Sequence, residues 1–264
     1  MPATIDEGLC IRQWDFSETS QTVSVLCRRA GLVRGLAKGS RRATHPYSGG
    51  IELLTRALIG IIPRPSAELA LITEWDLQET FPALRRSLAA HHAGLYVADL
   101  IQHAVHDHDP HPRLYDEAIL ALRSLEHPAA RDSILTRFQW ALLAETGYKP
   151  ELLHDAASGR PLPPAAWHFF DPRLGALTSP PASADPEPPS HAHHPSLWRV
   201  RRETISALLA ISQTVERGPA PNDPAPPSDP STARAARFLA AYARHVFGRE
   251  PRTMSLLFGS RLPR

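Results

Sequence analysis

The hydrophobic pattern of this chain changes period once, close to residue 81. Ahead of that point apolar and polar positions alternate in short runs. Thr22-Val23-Ser24-Val25-Leu26-Cys27-Arg28 sets β-branched or apolar residues against polar ones with a period of two, as a half-buried strand does. Gly31 interrupts the run and Leu32-Val33-Arg34-Gly35-Leu36-Ala37 resumes it, which predicts a hairpin. Gly8 to Trp14 predicts a strand before the hairpin, closed by the polar turn Phe16–Ser20. Ile51 to Ile62 and Leu69 to Trp75 predict two more, beyond a turn-like segment from Lys38 to Gly50 with three glycines.

Five short strands within residues 1–80 predict a small closed barrel. The five-stranded OB-fold is the natural candidate, because its strand faces and loops bind single-stranded nucleic acid. From Phe81 the period becomes helical. Leu84, Leu88, Leu95, Val97, Leu100, Ile101 and Val105 form a wide apolar stripe, with Pro82 in the first turn, where a missing N–H costs nothing. Further helices are predicted over Leu114–Leu125, Asp132–Glu145, Leu197–Val215 and Ala233–Phe247, with Gly147 and Gly248 as C-terminal stops. Ile134, Leu135, Phe138, Leu142 and Leu143 are expected to face inward. Residues 148–178 read as irregular, held to the helices by Trp167, Phe169 and Phe170. The predicted class is α+β: an OB barrel in 1–80, then an α-helical domain in 81–264. That domain carries an irregular insertion at about 148–195 and a Pro-rich linker at 217–230.

Composition sharpens the boundaries. Twelve of the 27 prolines fall between Pro180 and Pro230, so 179–195 and 217–230 are expected to be mobile connectors. Two cysteines, Cys10 and Cys27, exclude a disulfide scaffold and point to a reducing compartment, hence the cytoplasm. There is no run of 18 apolar residues to span a membrane, and no basic-then-apolar leader at the start.

The net charge of +2 conceals an asymmetry. Residues 81–195 carry nine basic and thirteen acidic side chains, whereas residues 196–264 carry eleven and five. In the barrel no acid occurs between Glu18 and Glu52, a gap that holds Arg28, Arg29, Arg34, Lys38, Arg41 and Arg42. Such a stripe suits a polyanion, or else is a solvated strand face. A second basic set, which includes Arg199, Arg201, Arg202, Arg234 and Arg237, follows on the last helices.

Catalytic patterns are missing. There is no G-x-S-x-G elbow and no phosphate-cradling Gly-rich loop. Cys27 precedes two arginines but sits in an apolar run, where cysteine is usually a small core residue. His103, His106, His108 and His111 cluster beside Asp107 and Asp109, and His191, His193 and His194 form another group. Both read as polar helix-end or loop chemistry rather than metal sites.

Three stretches resemble the RecO family of bacterial DNA repair proteins. They are Asp15-Phe16-Ser17-Glu18-Thr19-Ser20, Gly31-Leu32-Val33-Arg34-Gly35-Leu36-Ala37-Lys38-Gly39-Ser40-Arg41-Arg42, and Gly147-Tyr148-Lys149-Pro150-Glu151-Leu152. The second is the most specific, and order and spacing fit almost the whole chain. The resemblance implies an N-terminal OB-fold, a helical C-terminal domain and no catalytic activity. It implies a recombination mediator that binds single- and double-stranded DNA, the RecR partner and the C-terminal tail of single-strand-binding protein, promotes strand annealing and helps to load RecA.

Many members of that family hold zinc with two C-x-x-C pairs. Here the first pair would fall at Asp155 and Ser158 and the second near Ser179 and Ala182, so the zinc site is expected to be lost and no cofactor remains. The expected DNA-binding residues are Arg28, Arg34, Lys38, Arg41 and Arg42. Trp14, Phe16 and Tyr47 are candidates to stack bases, although Trp14 is read by preference as barrel core. The rival reading is a non-enzymatic protein-interaction module whose arginines serve acidic proteins.

Overall fold

A computed structural model describes residues 3–42, 47, 49–64, 67–178, 197–218 and 226–259. Strands β1 (Thr4–Asp15), β2 (Gln21–Cys27), β3 (Gly31–Ala37), β4 (Arg56–Ile62) and β5 (Ala70–Glu79) close a barrel in the order β1-β2-β3-β5-β4. The β3–β5 pair is parallel and the others antiparallel, so the predicted OB-type barrel is present. β1 is longer than the pattern suggested. Its first half pairs with β4 and its second half with β2, with a register shift between Cys10 and Arg12 where the strand turns from one sheet to the other. The predicted strand Ile51–Ile62 starts only at Arg56. Ile51–Thr55 instead forms a turn against β1, where Leu54 N–H donates to the Cys10 carbonyl (2.9 Å) and Cys10 N–H to the Thr55 carbonyl (3.0 Å).

Apolar side chains from all five strands fill the barrel, Trp75 among them. Both cysteines belong to that core, as read for Cys27. Burial pushes the Cys10 thiol up to about 12 and raises that of Cys27 as well, so neither is a nucleophile at neutral pH. Outward-facing Leu9, Ile11, Leu26, Leu32 and Leu54 join a second core shared with the helices. The β2–β3 hairpin tip enters that junction. Gly31 has φ 72°, and a Cβ there would collide with the Asp109 backbone, so the close approach requires glycine.

The long predicted first helix is two. α1 (Pro82–Arg86) ends at Ser87, whose extended backbone and hydroxyl cap α2 (Leu88–Ala104). α3 (Pro112–Ser124) and a 3₁₀ turn lead to α4 (Arg131–Glu145), which is buried on every face between α2, α3, α5 (Arg202–Arg217) and α6 (Pro230–Phe247). Ile134, Leu135, Phe138, Leu142 and Leu143 do face inward. Gly147 stops α4 at φ 85°, with Tyr148 N–H donating back to the Leu143 carbonyl at 2.7 Å. The nearly dry pair Glu117–Arg137 (2.8 and 2.9 Å) ties α3 to α4. A short α7 (Met254–Phe258) closes on Tyr96 of α2.

Two expectations about the second half are corrected. Residues 148–178 are not irregular throughout: β6 (Trp167–Asp171), β7 (Ala176–Thr178) and β8 (Trp198–Arg201) form an antiparallel sheet in the order β7-β6-β8. The predicted helix Leu197–Val215 therefore begins as a strand. Trp198-Arg199-Val200-Arg201 alternates buried and exposed residues, and the helix starts at Arg202. Phe170 anchors the sheet against Phe238, Tyr242 and Trp198, with ring centroids 4.8–5.8 Å apart. Trp167 and Phe169 stay half-buried on the other face. The connector 217–230 is ordered at its ends: Ser228 bonds to the start of α4, and Asp229 with Thr232 forms a capping box for α6. Its middle, 219–225, and the connector 179–195 lie outside the described residues.

One buried amide fixes the loop between β3 and β4. Gln21, 2% exposed, donates to Gln13 Oε1 (2.8 Å) and to the Ile51 carbonyl (3.1 Å), and accepts from Ser40 Oγ (3.0 Å) and Ile51 N–H (2.9 Å). All four hydrogen-bonding positions of the carboxamide are used. Gln21→Leu keeps the volume but strands these partners, which should lower the unfolding free energy by about 3 kcal/mol and speed hydrogen exchange at the Ile51 amide. A denaturant midpoint and an Ile51 exchange rate equal to those of the parent would contradict this assignment.

Candidate nucleic-acid interface

The structure divides the five expected basic residues into two sets. Arg28 follows β2 and forms a two-pronged ion pair with Asp116 of α3 (2.9 and 3.0 Å). Arg34, mid-β3, pairs with Asp107 of the α2–α3 connection. The hydrogen bond and then the charge of each aspartate raise both guanidinium pKa values. The barrel stripe without acids in sequence therefore has acids in space, supplied by the helical half. Neighbouring arginines follow suit. Arg12 meets Asp99 (3.1 Å), which also accepts from Thr253 Oγ1 (2.9 Å). Arg56 bridges Glu7 and Glu79, and Glu79 is shared with Arg123. Burial alone would raise the Glu79 carboxyl, but hydrogen bonds and charge from Arg123 and Arg56 outweigh it and hold the pKa below the usual value.

Lys38, Arg41 and Arg42 are exposed where the β3–β4 loop leaves the barrel. Arg41 pairs with Asp15 at the end of β1. Lys38 and Arg42 have no acidic partner among the described residues. This loop is joined to the β1–β2 turn: Arg41 N–H donates to the Thr19 carbonyl (3.1 Å) and Gly39 N–H to Ser20 Oγ (3.1 Å). The two stretches of the sequence that looked like separate turns thus form one ridge, footed on the Gln21 amide.

The aromatics sort differently from expectation. Trp14 is not barrel core; it is 49% exposed, and Phe16 is 62% exposed. Tyr47 is 1% exposed, with its hydroxyl donating to the Ile72 carbonyl and its phenol pushed up to about 12 by burial, so it stacks on no ligand. Cross-strand register explains Trp14. Arg12, Ser24 and Arg34 form one row across β1-β2-β3, and Trp14, Thr22 and Leu36 form the next on the same outward face. Arg12 two residues earlier was the available signal, because residues i and i+2 share a face. Trp14, Phe16, Lys38, Arg41 and Arg42 therefore gather at one end of the outward barrel face: flat apolar rings beside three cations, of which Arg41 alone has an acidic partner among the described residues.

Of the two expected zinc-binding pairs, only the first falls on described residues. Asp155 and Ser158 occupy the first expected pair. The Asp155 carboxylate oxygen accepts from Ala157 N–H (3.1 Å), Ser158 N–H (2.8 Å) and Ser158 Oγ (2.8 Å), closing the turn by hydrogen bonds. The positions near 179 and 182 lie outside the described residues, as do His191, His193 and His194. Among the described residues no group of three or more His, Cys, Asp or Glu could hold a metal ion. His103 is turned onto the Asp99 carbonyl (2.5 Å) and His111 onto Asp109 (3.1 Å). No helix among the described residues is long and apolar enough to cross a membrane.

Comparison with known proteins gives the same order of parts. The family model for the N-terminal part of recombination protein O matches residues 1–81, and that for its C-terminal part matches residues 85–217. DNA repair protein RecO of Rhodopirellula baltica is 34% identical over 153 residues, which cover 58% of this chain and 57% of that relative. The proteins of the same name from Anaeromyxobacter sp. (strain Fw109-5) and Roseiflexus sp. (strain RS-1) are each 29% identical. The first match covers 92% of this chain and 90% of the relative, the second 95% and 83%. With both family models matched in order over a barrel and a helical bundle, the chain belongs to the RecO family of DNA repair proteins.

Proposed function

We propose that this chain is a recombination mediator that acts by binding rather than by catalysis, in the cytoplasm. The observation that carries this reading is the outward barrel face, where Trp14 and Phe16 are exposed beside Lys38, Arg41 and Arg42. Rings offer stacking to any base, and the cations neutralise phosphates and release counterions, so sequence is not read. Arg28 and Arg34, spent on Asp116 and Asp107, serve mainly to seat the barrel on the helices. In this role the protein holds DNA, promotes annealing, and with RecR and single-strand-binding protein helps to load RecA. A cavity of about 250 Å³ between α3, α4 and α5, lined by Ile134, Phe138 and Ile211, with Arg217 at its edge and the Arg137–Glu117 pair in its wall, suits the acidic, apolar-ended tail of single-strand-binding protein.

Lys38→Glu with Arg42→Glu should weaken single-stranded DNA binding at least tenfold, or about 1.4 kcal/mol. It should flatten the salt dependence by about 0.7 per lost phosphate contact and leave the thermal midpoint unchanged. Arg28→Glu should do the reverse: it breaks the Asp116 pair, so it lowers the midpoint and changes the salt slope little. Unaltered DNA affinity in the double variant would reject the barrel as the DNA surface; binding of acidic proteins but of no DNA by the parent would favour a protein-interaction module.

We also propose that the segment around Asp155 is ordered without metal. Metal analysis of protein purified without chelator should find no stoichiometric zinc, and Asp155→Ala should destabilise by about 2 kcal/mol. One zinc per chain, with loss of structure on chelation, would overturn this.

A further inference from the structure

The outer face of the β7-β6-β8 sheet carries a group of side chains that the barrel site does not use. Trp167 lies directly across from Arg201, and Phe169 from Arg199. His168 and Phe170, with Val200 and Trp198, point the other way into the helices. The guanidinium carbons of Arg199 and Arg201 lie 4.1 and 4.5 Å from the centroid of the Trp167 ring. One indole thus orders two arginines, both exposed. Neither has an acidic partner among the described residues, in contrast to Arg12, Arg28, Arg34 and Arg56 of the barrel. Arg202, the next residue, is exposed and likewise unpaired there. Its field is felt beneath the sheet: burial first, and the Arg202 charge second, lower the His168 pKa.

Two like charges held over one ring with no counter-charge repel each other, and an anion between their N–H edges relieves that repulsion. A planar guanidinium already stacked loses little rotamer freedom when its fork meets a phosphate. Phe169 and the Trp167 edge, half-buried on the same face, add surface for an unpaired base. An acidic peptide with an apolar end needs a slot as well. The apolar cavity of the helical half lies along α3, α4 and the far end of α5, reached from Ala210 to Arg217, and not on this sheet.

We propose that this face is a second nucleic-acid site, at which Arg199 and Arg201, ordered by Trp167, grip the phosphates of one single strand while the barrel holds another. The proposal rests on the DNA-binding reading above and assigns the strand that the barrel does not hold. Two strands on separate faces of one molecule are what annealing needs, because complementary strands repel one another until their phosphates are neutralised.

The test uses the full chain, oligothymidylate of a single short length and low salt, with binding stoichiometry as the readout. The parent should take up two strands per chain, Arg199→Glu with Arg201→Glu one, Lys38→Glu with Arg42→Glu one, and the combined variant none. Trp167→Ala, which keeps both charges, should weaken the second strand about tenfold and leave the first unchanged, which also reports that the fold is intact. Two strands on the Arg199→Glu/Arg201→Glu protein would overturn the sheet assignment and spare the DNA-binding function. An acidic tail peptide that loses affinity in that variant, with DNA stoichiometry unchanged, would assign the face to a protein partner instead. If the parent binds no DNA, the broader reading fails first.

Discussion

The carboxamide of Gln21 is the fixed point of the molecule's exposed end. It is buried at the mouth of the barrel and binds both ends of the β3–β4 loop, at Ser40 and Ile51, as well as Gln13 of β1. The β1–β2 turn then docks on the same loop through Thr19 and Ser20. A leucine would fill the space but leave the Ile51 amide unpaired, and a buried unpaired group costs more than a neutral hydrogen bond gains. Because the loop is footed in this way, Lys38, Arg41 and Arg42 leave the barrel from one place beside Trp14 and Phe16. A ligand that meets them has less ordering entropy to overcome.

The second constraint is how the charges are sorted. The acid-rich helical half matches three of the barrel's arginines, Asp99 to Arg12, Asp116 to Arg28 and Asp107 to Arg34, while its own Arg123 meets Glu79 of the barrel. Each half-exposed pair contributes only about 0–1 kcal/mol, so the junction's strength comes from Leu9, Ile11, Leu26 and Leu32 packed against the helices. What the pairs do is orient the barrel and consume its charge at the junction. Among the described residues, Lys38 and Arg42 of the β3–β4 loop and Arg199 and Arg201 on the outer face of the small sheet are cations without an acidic partner, and each pair has exposed or half-exposed rings beside it. Positive charge concentrated in this way, rather than the overall balance of +2, determines where a polyanion settles.

Much of the barrel could be read from the sequence because its strands are local and amphipathic. The period-two run Thr22–Cys27, the break at Gly31 and the inward positions of α4 all follow from neighbouring residues. The β8 strand was also legible, since Trp198-Arg199-Val200-Arg201 alternates, but the helical stripe that follows it masked the change of period. The exposure of Trp14 was written in Arg12. The acids opposite Arg28 and Arg34 were not legible, because they lie 88 and 73 residues away and no local pattern brings them together. For the same reason a stripe that looks free of acids along the chain is partly neutralised in the fold, and only Lys38 and Arg42 of the five expected residues stay without an acidic partner among the described residues.

The central question is whether nucleic acid lies across the Trp14 end of the outward face of β1–β3 and its adjoining loops. Backbone hydrogen exchange of the full chain, with and without saturating oligothymidylate, reads this directly. Protection should rise at residues 14–22 and 36–42, and at 167–169 with 199–201, while α2 to α4 stay unchanged. Protection confined to α3, α4 and α5, with the barrel face exchanging as in the free protein, would contradict it.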